Sequence, residues 1–316
     1  MTSTSNDKLD ISAAVKNAKR ALQIRTGFVA LIFKAWSKSN RFKIGLLISS
    51  FIILIGVLAP LIAPYPRDGL GYVPEDALQK IRLPPSQEHL FGTDTRGRDI
   101  FSRVVFGARS ALIQIFLVVS SSLLIGLFMG VIAAYYKGLV ETVINYLIEL
   151  FMSIPAIVIA LALRLILGSG LFTVVLALII TWWSWYGRVT YIYSRSIVEM
   201  DYVLLAKLSG VSGLKIIFRH VVRNASPPVL VQAVTDLGSV LLEASAINFL
   251  GLGLPPDSPE WGVIMQEGIQ YLSISPWISV FPGIFILITA LGFSLIGDSL
   301  REEVDPKLRR RWRLWF

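Results

Sequence analysis

The chain has 316 residues, of which 54% are hydrophobic and only 16% are charged; this excludes an ordinary soluble protein, in which about 25% of residues are charged. The formal net charge of +9 does not indicate nucleic-acid binding, because most basic residues lie beside apolar runs. The absence of cysteine excludes disulfides and cysteine-based metal sites, and His89 and His220 lie too far apart in sequence to favour a metal site.

Residues 1–43 form a polar, basic N-terminal segment. Its first residues have the composition of a disordered segment, and 13–36 is predicted to form an amphipathic helix on the inner membrane surface. This helix is too charged to span a bilayer, and no small-residue cleavage site follows it, so we expect no cleaved signal peptide.

Six apolar runs follow, each close to the roughly twenty residues that a membrane span needs. The predicted spans are 44–63, 111–135, 145–167, 171–187, 229–250 and 280–296. The third span contains Pro155. The fourth is short and ends in aromatic residues that we interpret as a belt at the membrane interface. These residues are Trp182, Trp183, Trp185 and Tyr186.

The spans and loops predict an organisation into five segments. These are the basic segment 1–43, a first transmembrane helix at 44–64, an extracellular loop at 65–108, a core of five helices at 109–299 and a basic tail at 300–316. Short basic loops face the cytoplasm, whereas the loop at 251–279 has acidic residues but no Lys or Arg. An even number of spans then places both termini on the cytoplasmic side of the cell membrane.

A basic, amphipathic loop at 188–228 lies between the fourth and fifth spans. Its apolar pattern predicts a short helix, a break at Ser209 and Gly210, and a second helical pattern that begins at Val211. Two interpretations remain open for this helix–glycine–helix. It either rests on lipid headgroups as an interfacial helix, or it is bound by a soluble partner protein.

Three carboxylates, Glu149, Asp236 and Glu243, lie in or near apolar spans. A charge at the bilayer centre costs about 2.5–3.5 kcal/mol, so such residues usually face a bundle interior or water. Asp236 and Glu243 are seven residues apart and therefore project from one helix face. They either line a translocation path or contact a partner permease, or they are structural carboxylates satisfied by neighbouring helices.

The sequence contains neither a G-x-x-x-x-G-K-[ST] phosphate loop nor an H-E-x-x-H zinc motif. We therefore expect a non-catalytic chain that does not hydrolyse nucleotide and needs no cofactor. Acidic residues within spans would also suit a proton-coupled secondary transporter or a channel that works alone. The sequence offers no paired Lys or His with which they could form a proton relay.

Several motifs together resemble one transporter family. Tyr202-Val203, Ala206, Gly210 and Arg219-His220 resemble the "EAA" loop of ABC importer permeases in its peptide-permease variant. The segment 89–103, HLFGTDTRGRDIFSR, is similar to the GTD–GRD–SR segment of the C-type permease subunit of dipeptide and oligopeptide ABC importers. The run 243–253, EASAINFLGLG, with Trp261-Gly262 and the segment 297–306, is similar to the same subfamily's C-terminal half.

The resemblance covers 43–307 and implies an all-α polytopic fold, the six-helix type I ABC importer permease fold. It implies a subunit that imports di- or oligopeptides, or with the same machinery oligosaccharides or metal chelates. The implied partners are a second homologous permease, two ATP-binding subunits, an extracellular solute-binding protein and membrane lipid.

The resemblance also implies a role for the loop at 188–228, as the coupling helix that docks on an ATP-binding subunit. The residues carried over to this role are Tyr202, Val203, Ala206, Lys207, Gly210, Val211, Arg219 and His220. The sequence departs from the family at Leu204, where a glutamate is usual, and at Arg223, where a proline is usual.

The GTD segment has residue types that favour turns and caps, namely Gly92, Thr93, Asp94 and Gly97. We expect Arg98 to pair with Asp94 or Asp99 and to hold the outer loop against the spans. A structural clasp is one interpretation of this segment, and a surface for the solute-binding protein is the other.

Overall fold

The computed structural model describes residues 28–304, so the predictions for 1–27 and 305–316 lie outside the described residues. Every regular element in this range is a helix, apart from one isolated antiparallel bridge between Thr93 and Asp99. The predicted all-α polytopic fold is confirmed.

The helices of the described range are labelled α1 to α14 in chain order. They are α1 Phe28–Lys38, α2 Asn40–Val57, α3 Ala59–Ile62, α4 Pro66–Gly69, α5 Ala77–Lys80, α6 Ile100–Tyr136, α7 Gly138–Ser153, α8 Ala156–Leu167, α9 Leu171–Val198, α10 Asp201–Leu208, α11 Gly213–Ile216, α12 Arg223–Phe249, α13 Trp261–Gly268 and α14 Trp277–Val304. A π-helical segment, Ile217–Val222, joins α11 to α12, and a 3₁₀ turn, Ile269–Tyr271, follows α13.

Five of these helical stretches are long and apolar enough to cross a membrane: α2, α6, α9, the run Gly213–Phe249, and α14. The sixth crossing is made by α7 and α8 together, which meet at a bend of 85°. The pair starts beside Lys137, whose Nζ lies 3.8 Å from Glu199 at one end of the bundle. It finishes beside Gly170, whose N donates to the Gly253 oxygen (3.1 Å) at the other end. The bent pair therefore connects opposite ends of the bundle, which gives six crossings.

Several predicted spans differ from the structure in extent, and the differences in the second, third and fourth have clear causes or consequences. The third is broken at Ile154 and Pro155 rather than continuous, because a proline lacks the N–H that an unbroken helix needs. The second begins at Ile100 inside the predicted loop 65–108, where the Asp99 carboxylate accepts the backbone N–H of Ser102 (2.7 Å) as an N-cap. The fourth continues to Val198, well past the residues interpreted as its interfacial end.

The two termini of the described range meet at one end of the bundle. Leu31 and Ala35 of the amphipathic α1 are buried against a cluster that includes Leu300 of α14. Lys34 pairs with Glu303 (3.3 Å), and Arg41 pairs with Glu302 (3.6 Å). The helix of the first span starts at Asn40, inside the segment predicted to be N-terminal, so α1 and α2 form one clamp around the last helix.

Apolar side chains cover the outside of the long helices, as a lipid environment requires. Leu47 of α2, Phe172 of α9 and Leu287 of α14 are 71%, 68% and 66% exposed. A chain in water would bury such side chains, so their exposure fits contact with lipid tails or with neighbouring subunits.

Close packing of α6 against α9 forms the centre of the bundle, and small residues make it possible. A Cβ added to Gly126 would lie 2.6 Å from the backbone N of Gly187, and one added to Gly130 would lie 2.6 Å from the Gly187 oxygen. Both distances are to backbone atoms, which cannot move aside without separating the two helices.

We therefore expect Gly130→Ala to destabilise the bundle by about 1–3 kcal/mol, the usual cost of overpacking. Gly170→Ala is the matched control, because its backbone is extended (φ 167°) and no atom lies within 4 Å of an added Cβ. Thermal unfolding of the detergent-purified protein checks this: the midpoint should fall for Gly130→Ala alone. Equal midpoints for the two variants would show that the α6–α9 contact tolerates separation.

Candidate translocation pocket, coupling helix and outer clasp

A pocket of about 360 Å³ lies at the bend between α7 and α8. Helices α9 and α12 form its other walls. The lining residues are Phe151, Met152, Ile154, Pro155, Ala156, Thr181, Trp182, Trp185, Asp236 and Glu243. A cavity of this size is within the usual range for small-ligand sites.

Asp236 and Glu243 both face this pocket, as their seven-residue spacing predicts. Each carboxylate accepts a hydrogen bond from an indole of α9: Trp185 Nε1 donates to Asp236 Oδ2 (2.9 Å), and Trp182 Nε1 donates to Glu243 Oε2 (2.7 Å). Gln232, one turn before Asp236, donates to its other oxygen (2.8 Å). Neutral donors thus hold both carboxylates in place.

The interpretation of the four aromatic residues as an interfacial belt is wrong. They lie near the middle of α9 rather than at its end. Trp182 and Trp185 hold the two carboxylates, while Trp183 and Tyr186 are buried. Aromatic clusters are common at membrane interfaces, and only the helix length in three dimensions shows that this cluster is central.

Glu149 lies outside the pocket. Its side chain is 66% exposed and pairs with Arg188 Nη2 at 2.7 Å. The structure thus brings together two of the three intramembrane carboxylates and separates the third.

The predicted coupling segment has a different architecture from two separate surface helices. Helix α10 is short, the break covers 209–212, and the helical run that follows is continuous from Gly213 through Phe249. Arg219 and His220 lie in the π-helical segment of this run, and Arg223 is the first residue of α12. The predicted second helical pattern is present, but it begins at Gly213 and continues without interruption into the fifth span.

Three of the eight predicted coupling residues pack into the bundle. Val203 is buried, and Ala206 and Val211 pack against the same cluster, which includes Ile216 and Val221. Lys207 Nζ lies 4.6 Å from the centre of the Tyr135 ring. These contacts fix α10 on the ends of α6 and of the fifth span.

The polar contacts of Tyr202 fix the start of α10. The Tyr202 hydroxyl accepts a hydrogen bond from Asn224 Nδ2 (3.2 Å), and its ring lies 5.9 Å from that of His220. Asn224 and His220 both belong to the helical run Gly213–Phe249. These contacts therefore join the start of α10, before the break at 209–212, to the helix that follows the break.

Three exposed leucines lie on α10, one of them Leu204, which takes the position where the family usually has glutamate. Leu204, Leu205 and Leu208 are 54%, 61% and 76% exposed. Helical periodicity in the sequence shows that these leucines do not all share the face of Val203. It does not show which face of α10 the bundle covers.

Gly210 adopts a left-handed backbone with φ +76°. No atom lies within 4 Å of a Cβ added there. The glycine is therefore required by its backbone conformation and not by lack of space.

The GTD segment contributes to a network of ion pairs that we call the outer clasp: the buried Asp94, Arg98 and Arg103, with the largely buried Glu267 and the half-exposed Asp257. Arg98 Nε donates to Asp94 Oδ2 (2.7 Å), which is the first of the two expected pairs. The same guanidinium donates to Glu267 Oε2 (3.0 Å) and Asp257 Oδ1 (3.1 Å). Arg103 of α6 joins Asp94 (2.5 Å) to Glu267 (2.8 Å).

The outer clasp fastens the predicted loop 65–108 to the acidic loop 251–279 and to α6. Burial raises the pKa of Glu267, but Arg103 and Arg98 outweigh burial and hold that pKa below its ordinary value. Nearby, the buried Glu260 forms no ion pair with any residue of the described range 28–304, and burial raises its pKa to about 7. Asp257 and Glu267 of this loop thus share arginine partners that lie 159–169 residues earlier in the chain.

Asp99, the other partner expected for Arg98, does not pair with it. Its Oδ1 lies 3.0 Å from His89 Nδ1, and its backbone N–H donates to Asp68 Oδ2 (3.0 Å). Thr93 Oγ1 accepts the backbone N–H of Leu83 (2.7 Å), and Gly92 has φ +75° with the Leu83 oxygen 2.6 Å from an added Cβ. Gly92 is thus required by both conformation and space.

The comparisons with known proteins agree with this architecture. Residues 122–310 match the family model described as "Binding-protein-dependent transport system inner membrane component". The chain therefore belongs to this family, and it is a multi-pass permease component of the inner membrane. The resemblance that the sequence motifs indicated is confirmed.

Three curated relatives extend the match over most of the chain. A dipeptide transport system permease protein of Alkalihalophilus pseudofirmus is 37% identical over 88% of this chain and 89% of its own length. A probable D,D-dipeptide transport system permease protein of Escherichia coli is 38% identical over 71% and 76%. An oligopeptide transport system permease protein of Bacillus subtilis is 33% identical over 86% and 88%.

The outer clasp generates a stability prediction. Arg98→Ala should lower the free energy of unfolding by about 3 kcal/mol, since it leaves the buried Asp94 and part of Glu267 short of a cation. Arg96→Ala is the matched control, because Arg96 makes an exposed pair with Asp257, and exposed pairs contribute about 1 kcal/mol or less. The measurement is thermal unfolding together with protease cleavage of the loop around residue 80. The same midpoint for both variants would contradict the assignment of the clasp.

Proposed function

We propose that the chain is the permease subunit of an ABC importer that moves di- and oligopeptides across the cytoplasmic membrane. The relatives named for dipeptide and oligopeptide transport support peptides as the cargo, over oligosaccharides or metal chelates. Its partners in this proposal are a second homologous permease, two ATP-binding subunits, an extracellular solute-binding protein and lipid. The ATP-binding subunits hydrolyse ATP, and this chain does no covalent chemistry.

One observation carries the proposal: the helix that lines the pocket is the direct continuation of the segment that follows α10. Asp236 and Glu243 lie on the run Gly213–Phe249, and α10 precedes that run by four residues. A force applied to α10 therefore reaches the two carboxylates along one backbone. In this proposal α10 is the coupling helix, and the path for cargo passes the pocket.

The exposed face of α10 fits the docking role. Leu204, Leu205 and Leu208 form an apolar ridge that protrudes at the same end as the basic residues. In the proposed topology this end is cytoplasmic, since positive charge stays inside, and both termini of the chain lie on that side. A groove on an ATP-binding subunit that covers this ridge would grip α10 while its other side stays fixed to the bundle.

The π-helical segment Ile217–Val222 lies between the ridge and the pocket. π-helical turns are rare and occur often at functional sites. Pro227 and Pro228 follow within the same run, and each lacks a backbone N–H. This stretch is the place where the run can change its hydrogen bonding, so ATP-driven movement of α10 can alter the pocket between inward-open and outward-open states. Such a shift requires that ATP binding favours contacts of one state over the other.

The backbone of Gly210 provides the test. Gly210→Val should reduce ATP-driven dipeptide uptake at least about tenfold, because a β-branched residue strongly disfavours φ +76° and the break would refold. Gly210→Asn is the matched control and should keep most of the uptake, since Asn tolerates the left-handed region. Uptake is measured in proteoliposomes that contain the complete importer, after the amount of inserted protein is equalised.

Two results would contradict the proposal. Equal uptake by Gly210→Val and wild type would remove the coupling role of α10. Uptake of an oligosaccharide or a metal chelate but not of any peptide would leave the machinery in place and remove peptides as the cargo.

A further inference from the structure

The two carboxylates of the pocket lack a cation of their own. Within residues 28–304, no nitrogen of Lys, Arg or His lies within 4.0 Å of Asp236 or Glu243, although such pairs occur elsewhere in the same bundle. Arg301 forms no direct ion pair with Asp236; it donates to Gln232 Oε1 (2.6 Å), and Gln232 in turn donates to Asp236. Glu243 has no such relay, and its one hydrogen-bond donor among the described residues is Trp182.

Such an arrangement attracts a positive group. A carboxylate among apolar helices is stabilised only in part by a single neutral indole, and a cation in the cavity adds a charge-assisted hydrogen bond. The pocket is also walled by two tryptophans, and indole rings attract a cation placed over their faces. The remaining walls, such as Phe151, Met152 and Ile154, are apolar and suit side chains of varied shape.

The size of the pocket matches one end of a small molecule. About 360 Å³ is near the lower limit of typical ligand cavities, enough for an amino group with one or two attached side chains. The pocket lies at the break between α7 and α8. Irregular backbone within a membrane is tolerated where it lines a cavity, so this location fits a binding site. The chain therefore presents a small, acidic, aromatic site on its proposed path.

We propose that this pocket binds the free α-ammonium group of the peptide cargo, with Glu243 as its direct partner and Asp236 as a second carboxylate. Trp182 and Trp185 are positioning residues that hold the two carboxylates toward the cavity. The inference rests on the proposed function, because it takes peptides as the cargo. It assigns to the permease a selection for a free amino terminus, separate from any selection by the solute-binding protein.

The absence of cysteine from the chain allows a direct test. Thr181→Cys places a thiol in the pocket wall, where the native hydroxyl bonds only to backbone oxygens of its own helix. The assembled importer is held in nanodiscs without nucleotide and without the solute-binding protein. The rate at which a small maleimide labels the introduced thiol is followed by the intact mass of this chain. Alanylphenylalanine and its N-acetyl derivative are the probes.

The expected result is that alanylphenylalanine slows labelling at a concentration about tenfold lower than its N-acetyl derivative does, as loss of one charge-assisted hydrogen bond predicts. Glu243→Gln, in the same background, should remove this difference, and Asp236→Asn should reduce it. Glu149→Gln is the matched control: its carboxylate lies outside the pocket beside Arg188, and the difference should persist. The comparison of the two probes on unaltered carboxylates needs no variant that might misfold.

Equal protection by the two dipeptides, or a preference that survives Glu243→Gln, would overturn the inference. A basic residue of the second permease filling the pocket is the competing explanation. In that case neither dipeptide would protect the thiol, and Glu243→Gln would reduce the amount of second permease that copurifies.

ATP-driven uptake of alanylphenylalanine, measured on the same importer with its solute-binding protein restored, separates the two levels of the proposal. If uptake occurs but labelling does not distinguish the probes, only the ammonium site is wrong. If no peptide is taken up, the proposed cargo is wrong and the ammonium site is wrong with it.

Discussion

The continuity of one helical run, Gly213–Phe249, is the constraint on which the rest of this structure depends. The run begins four residues after the exposed α10 and carries both carboxylates of the pocket. A helix transmits displacement along its axis because each turn is hydrogen-bonded to the next. The only irregular stretch, the π-helical segment with the prolines that follow it, lies between the two sites.

The two ends of the bundle are built for different tasks. At the end of the bundle that carries the clasp, two buried arginines and their acidic partners tie three distant segments together. Removing one member of such a network leaves an uncompensated buried charge, so its loss is strongly destabilising. At the other end, α10 is fixed on one side by Val203 and Lys207 and presents leucines on the other. This asymmetry suits a bundle in which α10 can be moved by a partner while the end with the clasp stays fixed.

Local patterns in the sequence predicted much of the fold. Apolar runs gave six crossings, seven-residue spacing placed Asp236 and Glu243 on one face, and the GTD segment indicated the Arg98–Asp94 pair. Long-range contacts were not accessible in this way. Trp182 and Trp185 looked like an interfacial belt because their partners lie 61 and 51 residues away. Arg103 and Glu267 meet across 164 residues, and no local signal relates them. Proline positions alone do not distinguish the break at Pro155 from the helical run through Pro227.

The most direct measurement is photo-crosslinking from the exposed face of α10 in the assembled importer. A photoreactive amino acid at Leu208, whose side chain is 76% exposed, should join this chain to an ATP-binding subunit. The same group at Leu165 of α8, which is 80% exposed near the opposite end of the bundle, should give no such product. If Leu204, Leu205 and Leu208 all fail to crosslink to a nucleotide-hydrolysing neighbour, energy does not enter through α10, and the helical run has no part in coupling.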